Sequence, residues 1–324
     1  MTKISFCIPC YRSEKTIERV VSDIHAVMKE HLNEYEEEIV CVVDGSPDNV
    51  FGVLVEMAKT DKTLKVVNLS KNYGQPGARM ASLRYATGDY QVCLDDDGQC
   101  PIENFWEMMQ PILSGYDVAM AKYPVKKQST FKNFGSWVNE KMVHFLLDVP
   151  KDYYFSNFWI MKSYVTKQIL TYHNPYPYLT GLVAGITNSI AYIEMEEHDR
   201  ISGTTGYTFR KLIESWLNGA LNFSVKPVRI STMLGSFCGV LGVFIALFQI
   251  VRKLCGADIN TGYTSIIASI FIVGGMQMVI LGVIGEYIGR TFISINNTPQ
   301  YVVKDEINIG ENNLVVLKNV QYRG

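Results

Sequence analysis

Positions 92–101 read VCLDDDGQCP, which puts three adjacent carboxylates at the end of an apolar run. Asp95 and Asp97 are separated by one residue, so an extended or turning backbone can direct both carboxylates to one side. With the amide oxygen of Gln99 and the diphosphate of a ligand, they form a hard oxygen set suited to Mg2+ or Mn2+. The same cluster of Asp, Gly and Pro also suits an ordinary solvated turn after a strand. An isolated Asp-x-Asp pair does not separate the two readings, but the elements around it do.

The first 120 or so residues alternate between two hydrophobic periods. Strand-like ISFCIP, EIVCVVD, LKVVNL, YQVCL and YDVAMA are separated by helix-like SEKTIERVVSDIHAVMKE, FGVLVEMAK, GARMASLRYAT and IENFWEMMQPIL. Five short strands with intervening helices predict an α/β fold, a mostly parallel sheet covered on both faces. Such sheets bind ligands at the carboxyl ends of their strands. The loops CYRSE, DGSPDN and DDDGQCP all fall at those ends, so the acid triplet stands where a site is expected.

The 324 residues are 48% hydrophobic and 19% charged, and the apolar surplus is local. Residues 230–251 and 259–285 are uncharged runs, each longer than the roughly 20 residues a helix needs to cross a bilayer. They predict two transmembrane helices joined by the short connection RKLCGADINTGY, with Gly235, Gly239, Gly242, Gly274, Gly275 and Gly282 permitting close approach. Arg210, Lys211, Lys226, Arg229 and Arg290 flank the pair, against Arg252 and Lys253 in the connection. That balance favours a cytoplasmic main domain in the inner membrane, and no signal-like segment opens the sequence. The expected organisation is a catalytic domain over 1–206, an interfacial region over 207–229, two spans within 230–290 and a cytoplasmic tail over 291–324. The stretch YTFRKLIESWLNGALNF, positions 207–223, carries an apolar stripe that fits either an interfacial helix or a core-facing one.

Thirty basic and 32 acidic residues give no basic footprint for nucleic acid. Seven scattered cysteines include Cys7 and Cys10 in CIPC, but no second pair or Cys/His cluster completes a zinc site, and they read as structural thiols.

Five segments in order resemble the polyprenyl-phosphate branch of the family 2 glycosyltransferases: IPCYRSE, VVDGSPDN, LSKNYGQPGARMASLRYATGD, LDDDGQCP, and ILGVIGEYIGRTF followed by PQYVV. That resemblance implies a GT-A (Rossmann-like) catalytic fold with a C-terminal membrane hairpin. The activity it implies is inverting transfer of one sugar from a nucleoside-diphosphate sugar to polyprenyl (undecaprenyl) phosphate, with tetramers among relatives. Pro9, Tyr11, Glu14, Asp44, Ser46 and Asn72 would then line the nucleotide pocket. Asp95, Asp97 and Gln99 would hold the metal. Lys122, Lys126, Lys127 and Arg200 would face the phosphates, although Lys126 and Lys127 also suit a solvated loop and Arg200 a surface ion-pair network. Asp97, Lys122 and Arg200 are the residues to which the reaction itself would be assigned.

Departures from the pattern include Val43 for an acid, Arg12 and Ser13 for Asn and Glu, and Gly206 for a lysine. Val43 and Gly206 keep open a non-catalytic nucleotide-sugar-binding scaffold, and transfer to a hydroxyl acceptor such as a membrane glycolipid is the other alternative. A charged residue at Asp96, between the two metal-linked acids, must either point away from the metal or find another partner.

Overall fold

The structure, a computed structural model, describes residues 1–123, 153–154, 156–175, 177–199, 226–255, 262–296 and 298–310. Lys126, Lys127, Arg200 and the stretch 207–223 lie outside the described residues. The described chain divides into two compact units, one built on the sheet and one on two long C-terminal helices.

In the first unit, β1 (Thr2–Cys10), α1 (Ile17–Met28), β2 (Tyr35–Val43), α2 (Val50–Thr60), β3 (Leu64–Leu69), α3 (Gln75–Tyr85), β4 (Tyr90–Cys93), α4 (Phe105–Leu113) and β5 (Val118–Lys122) alternate as the hydrophobic periods predict. They are followed by β6 (Trp159–Lys162), α5 (Ser163–Ile169), α6 (Leu179–Ile186) and β7 (Ile190–Glu194). Helices α7 (Lys226–Leu254) and α8 (Tyr263–Ile295) form the second unit, and β8 (Val303–Ile307) returns to the first. The sheet has eight strands in the order β7-β5-β6-β4-β1-β2-β3-β8.

Strands β1 to β4 are mutually parallel, which brings the ends of β3, β2, β1 and β4 side by side. The fifth expected strand does not join them directly. Strand β6 runs antiparallel between β4 and β5, and β5 pairs parallel with β7. The physical reason is its two apolar faces: Trp159 and Met161 pack on one side and Ile160 on the other, as a central strand requires.

Alternation along the strands divides the core into two layers. Ile4, Phe6, Ile8 and Cys10 of β1 face Ile17 and Ile24 of α1, Leu54 of α2 and Phe105 of α4. Cys7 faces the other way, toward Met80 and Leu83 of α3 and Val165 of α5. Val40 and Val42 of β2 share that second side with Ala78, Ala81 and Tyr85 of α3. Helix α1 forms because Ile17, Val20, Val21, Ile24 and Met28 make one buried stripe at helical spacing. Three residues apart on a strand, Cys7 and Cys10 point to opposite faces and cannot share a metal; both are buried free thiols.

The segment after α8 is built into the first unit. Strand β8 pairs antiparallel with β3, the Asn68 amide donates to Asp305 at 2.8 Å, and the Tyr85 hydroxyl donates to Glu306. The Gln300 amide reaches the carbonyls of Tyr172 and Asn174, both at 2.8 Å. Asn308 adopts φ 58° and turns its amide to the carbonyls of Ala58, Asp61 and Leu64 at 2.8, 3.1 and 3.0 Å.

In the second unit, α7 covers the first expected span, and α8 continues past Gly285 to Ile295. Glu286 and Arg290 form an ion pair one turn apart at 2.8 Å within α8. Among the described residues, Ile272–Ile295 is the one segment long and apolar enough to cross a membrane; in α7 the apolar stretch is the shorter Ser231–Gly242. Phe237, Phe244, Phe248, Ile270, Met278 and Leu281 are all exposed, which suits an apolar surrounding.

The three carbonyls gathered by Asn308 give a direct test. Asn308→Ala is expected to destabilise the full chain by about 1–3 kcal/mol, the cost of unsatisfied buried acceptors. Asn308→Gly should cost less, because glycine accepts the positive φ without strain. Thermal unfolding midpoints of the three proteins in one detergent check both the loss and the order.

Candidate active site

The site is assembled from four loops at the carboxyl ends of β1 to β4. After β1 the chain turns sharply: Arg12 adopts φ 59°, and its backbone N–H donates to the Ser46 hydroxyl at 2.8 Å. Ser46 in turn donates to Asp48 at 2.5 Å, and Asp48 accepts from the Glu14 backbone at 2.9 Å. The Glu14 carboxylate accepts from the Asn49 N–H at 3.2 Å. The loops carrying Tyr11 and Glu14 and carrying Asp44 and Ser46 are therefore laced together. Pro9 lies in β1 beside Val42 and is buried, whereas the Tyr11 ring is exposed, with the Arg12 guanidinium 5.5 Å from its centre.

Asp44 is buried and accepts from the Tyr73 N–H at 2.7 Å, which joins the third loop to the second. Burial pushes its carboxyl above the usual range, and the N–H groups of Tyr73 and Gly74 only partly oppose that rise. Next to it, Gly45 has φ 55°, and a side chain there would meet the Lys71 carbonyl carbon at 2.3 Å, so the two loops touch through backbone. Asn72 is exposed and accepts from the Gly74 N–H at 3.1 Å, forming the turn that opens α3.

The acid turn follows β4. Asp95 accepts on one oxygen from Arg79 at 2.6 Å and from the Gln75 amide at 2.7 Å, both from α3. Asp96 accepts from the Tyr11 N–H at 2.8 Å, and its carbonyl takes the Thr16 hydroxyl at 2.6 Å. Of the two alternatives open to a charge between two acids, Asp96 thus has a partner on the β1 loop. Asp97 accepts from the Gln99 N–H at 3.1 Å, and Gly98 with φ 75° lets the chain turn between them. Gln99 is pinned at both ends of its residue: its carbonyl accepts from the His198 N–H at 3.0 Å, and its amide donates to the His198 carbonyl at 3.2 Å. A cavity of about 580 Å³ adjoins the turn, lined by Asp95, Gly98 and Cys100 on one side and by Arg19, Asp23 and His198 on the other.

Lys122 sits at the exposed end of β5 with its ammonium 3.4 Å from Glu194 on β7. Its partner is thus on the neighbouring strand, and among the described residues no hydrogen bond or ion pair joins it to the acid turn. The residues that sequence reasoning missed are Arg79, Gln75 and Asp48. Arg79 carried a signal, a charged residue within the otherwise small and apolar GARMASL of a helix that must face the sheet.

The donor set fits a divalent cation of the Mg2+ or Mn2+ type, since Asp95, Asp97 and Gln99 offer oxygens alone. Among the described residues no group of three or more His, Cys, Asp and Glu is gathered to hold a metal unaided. One or two carboxylates completed by substrate phosphates is the usual arrangement for Mg2+.

Asp96 carries a consequence for pH. Burial pushes its carboxyl up to about 6, the Tyr11 N–H opposes the rise, and Asp95 and Asp97 add to it. An unfolded aspartate ionises near 3.9, so between about pH 4 and about pH 6 the folded state binds more protons than the unfolded one. Stability contributed by this group therefore falls as pH rises through that window. Asp96→Asn, which keeps an oxygen for the Tyr11 N–H, is expected to flatten that slope and raise the unfolding midpoint at neutral pH. Thermal unfolding across the window in chelator checks it, and an unchanged slope counts against it.

Residues 5–176 match the family described as Glycosyl transferase family 2, and residues 226–291 match the GtrB C-terminal hairpin. An uncharacterized glycosyltransferase of Synechocystis is 30% identical over 305 residues, covering 94% of this chain and 95% of that one. The prophage-derived bactoprenol glucosyl transferase of Shigella flexneri is 27% identical over 305 residues, covering 93% and 97%. The solved structure of glucosyl-3-phosphoglycerate synthase from Mycobacterium tuberculosis in complex with Mn2+ and uridine-diphosphate-glucose aligns with TM-score 0.48 at 18% identity, over 68% of this chain and 79% of that one. With one family covering more than half of the chain and relatives aligning over nearly their whole length, the chain belongs to the family 2 glycosyltransferases, in their polyprenyl-phosphate branch.

Proposed function

We propose that this glycosyltransferase moves a single sugar from a nucleoside-diphosphate sugar to polyprenyl phosphate, with inversion, at the cytoplasmic face of the membrane. The observation that carries this reading is the acid turn bonded to the loop after β1 and to α3, with the loops after β1, β2 and β3 bonded to one another. Its family membership and its similarity to bactoprenol glucosyl transferases support the choice of acceptor. The catalytic domain is assigned to 1–206, with 207–229 at the interface, α7 and α8 as two spans, and 291–324 on the cytoplasmic side. A tetramer is the oligomer this reading carries.

In this mechanism Pro9, Tyr11, Glu14, Asp44, Ser46 and Asn72 bind and orient the nucleotide at the rim. Asp95, Asp97 and Gln99 would hold Mg2+ or Mn2+, which when bound supplies Lewis-acid stabilisation of the departing diphosphate. The acceptor phosphate, with a second pKa of about 6, is already largely an oxyanion at neutral pH, so no strong general base is needed. The remaining task is to bring two anions together. Lys122, Lys126, Lys127 and Arg200 are assigned to that task, with Asp97 as the key acid of the metal group. Unlike a phosphate, a hydroxyl acceptor would need a carboxylate base.

Membranes containing the full chain should convert labelled nucleotide sugar and undecaprenyl phosphate into a lipid-extractable product that mild acid cleaves. Asp97→Ala or chelator should abolish it. Product formation that survives both would overturn the metal role, and an acid-stable lipid product would point to a hydroxyl acceptor instead.

A further inference from the structure

Arg79 has no part in the mechanism above, yet its guanidinium bonds directly to the acid turn. It stands on the sheet-facing side of α3 with a side chain only 9% exposed, and its terminal nitrogen lies 2.6 Å from Asp95. Its Nε is buried with no hydrogen-bond partner among the described residues. A guanidinium kept inside a domain with one donor unsatisfied is costly, and an apolar side chain at that position would avoid the cost. What the interior gains is control of one carboxylate. Both hydrogen bonds to the Asp95 side chain, from Arg79 and from Gln75, end on the same oxygen, so that oxygen is committed to α3.

Helix α3 is itself held firmly. Pro76 stands in its first turn, and Gly77 is so close to the Gln300 carbonyl that an added Cβ would come within 3.2 Å of it. Tyr85, at the far end of α3, donates to Glu306. The segment 298–310 thus seats the helix, and the helix presents Arg79 to Asp95.

We propose that Arg79 is the positioning residue of the acid turn: it fixes the orientation of Asp95 through one oxygen, leaving the other for the ligand side, and offsets one of the three negative charges. This inference rests on the metal-dependent reading above. It explains how three adjacent acids can serve a single divalent cation without over-binding it. The guanidinium and the cation compete for the same negative charge, so Arg79 lowers the turn's affinity for metal alone while holding it in the geometry that turnover requires.

The test uses the full chain in detergent and has an arm that needs neither sugar donor nor lipid. Mn2+ alone is titrated into wild type, Arg79→Met and Arg79→Lys by electron paramagnetic resonance, with folded protein quantified by thermal unfolding. Arg79→Met is expected to bind Mn2+ more tightly per folded molecule while its turnover falls about 10–100-fold, the range seen when groups that orient metal ligands are removed. Arg79→Lys, which keeps the charge but shortens the reach, should bind Mn2+ as wild type does and still lose turnover. A purely structural role would lower both in proportion to the folded fraction and would overturn the proposal.

Two further variants keep the proposal falsifiable if Arg79→Met folds poorly. Gln75→Leu, at an exposed position, should reduce kcat in the same direction by less. On an Asp95→Asn background, Arg79→Lys should cost no more than about twofold further, since the two act as one unit. Additive losses would overturn the assignment. If Arg79→Met binds Mn2+ more tightly and Arg79→Lys binds it as wild type does while wild type makes no lipid product, the transfer reading is overturned and the control of Asp95 by Arg79 stands.

Discussion

Three carboxylates at consecutive positions repel one another, and each needs a different environment before all can occupy one turn. Asp95 is paired with a buried guanidinium on α3. Asp96 turns away to the backbone of Tyr11, where burial keeps its proton on to about pH 6. Asp97 receives the N–H of Gln99 across a glycine in the left-handed conformation. The first two solutions tie the turn to α3 and to the β1 loop and the third closes the turn on itself, so the acids are stabilised by the same contacts that order the site.

Those contacts extend through the strand-end rim. The parallel pairing of β4, β1, β2 and β3 sets four loops side by side, and side chain to backbone bonds then join neighbour to neighbour: Asp96 to Tyr11, Ser46 to Arg12, Asp48 to Glu14, Asp44 to Tyr73. Nearly all are carboxylate or hydroxyl oxygens accepting backbone N–H groups that a loop would otherwise leave unsatisfied. Polar residues at the rim serve the loops first and a ligand second. The segment after α8 belongs to the same scheme, since it pairs with β3 and braces α3 at both ends.

Much of this was legible in the residues. Alternation in ISFCIP and EIVCVVD separates the two faces of β1 and β2, and the stripe from Ile17 to Met28 marks α1, because burial on one face is a local property of spacing. The placement of the acid triplet at a strand end followed from the same pattern. The insertion of β6 between β4 and β5 was not legible, because β6 lies more than sixty residues along the chain from β4 and its place depends on pairing that spacing cannot encode. The same applies to β8, whose partner β3 is more than two hundred residues away in the chain. For the second apolar run, the helix continues ten residues past its uncharged stretch because Glu286 and Arg290 neutralise each other one turn apart.

By itself the sequence determined the α/β class, the two-layer core, the strand-end location of the acids and the family to which the motifs belong. These depend on periodicity and on short motifs, which neighbouring residues carry among themselves. Only the tertiary structure decided what each acid does. That Asp95 answers to Arg79, that Asp96 answers to the Tyr11 backbone, and that Lys122 answers to Glu194 are matters of which groups meet between separate elements. The energy of a charge depends on what surrounds it in space, and residues distant in the chain supply those surroundings.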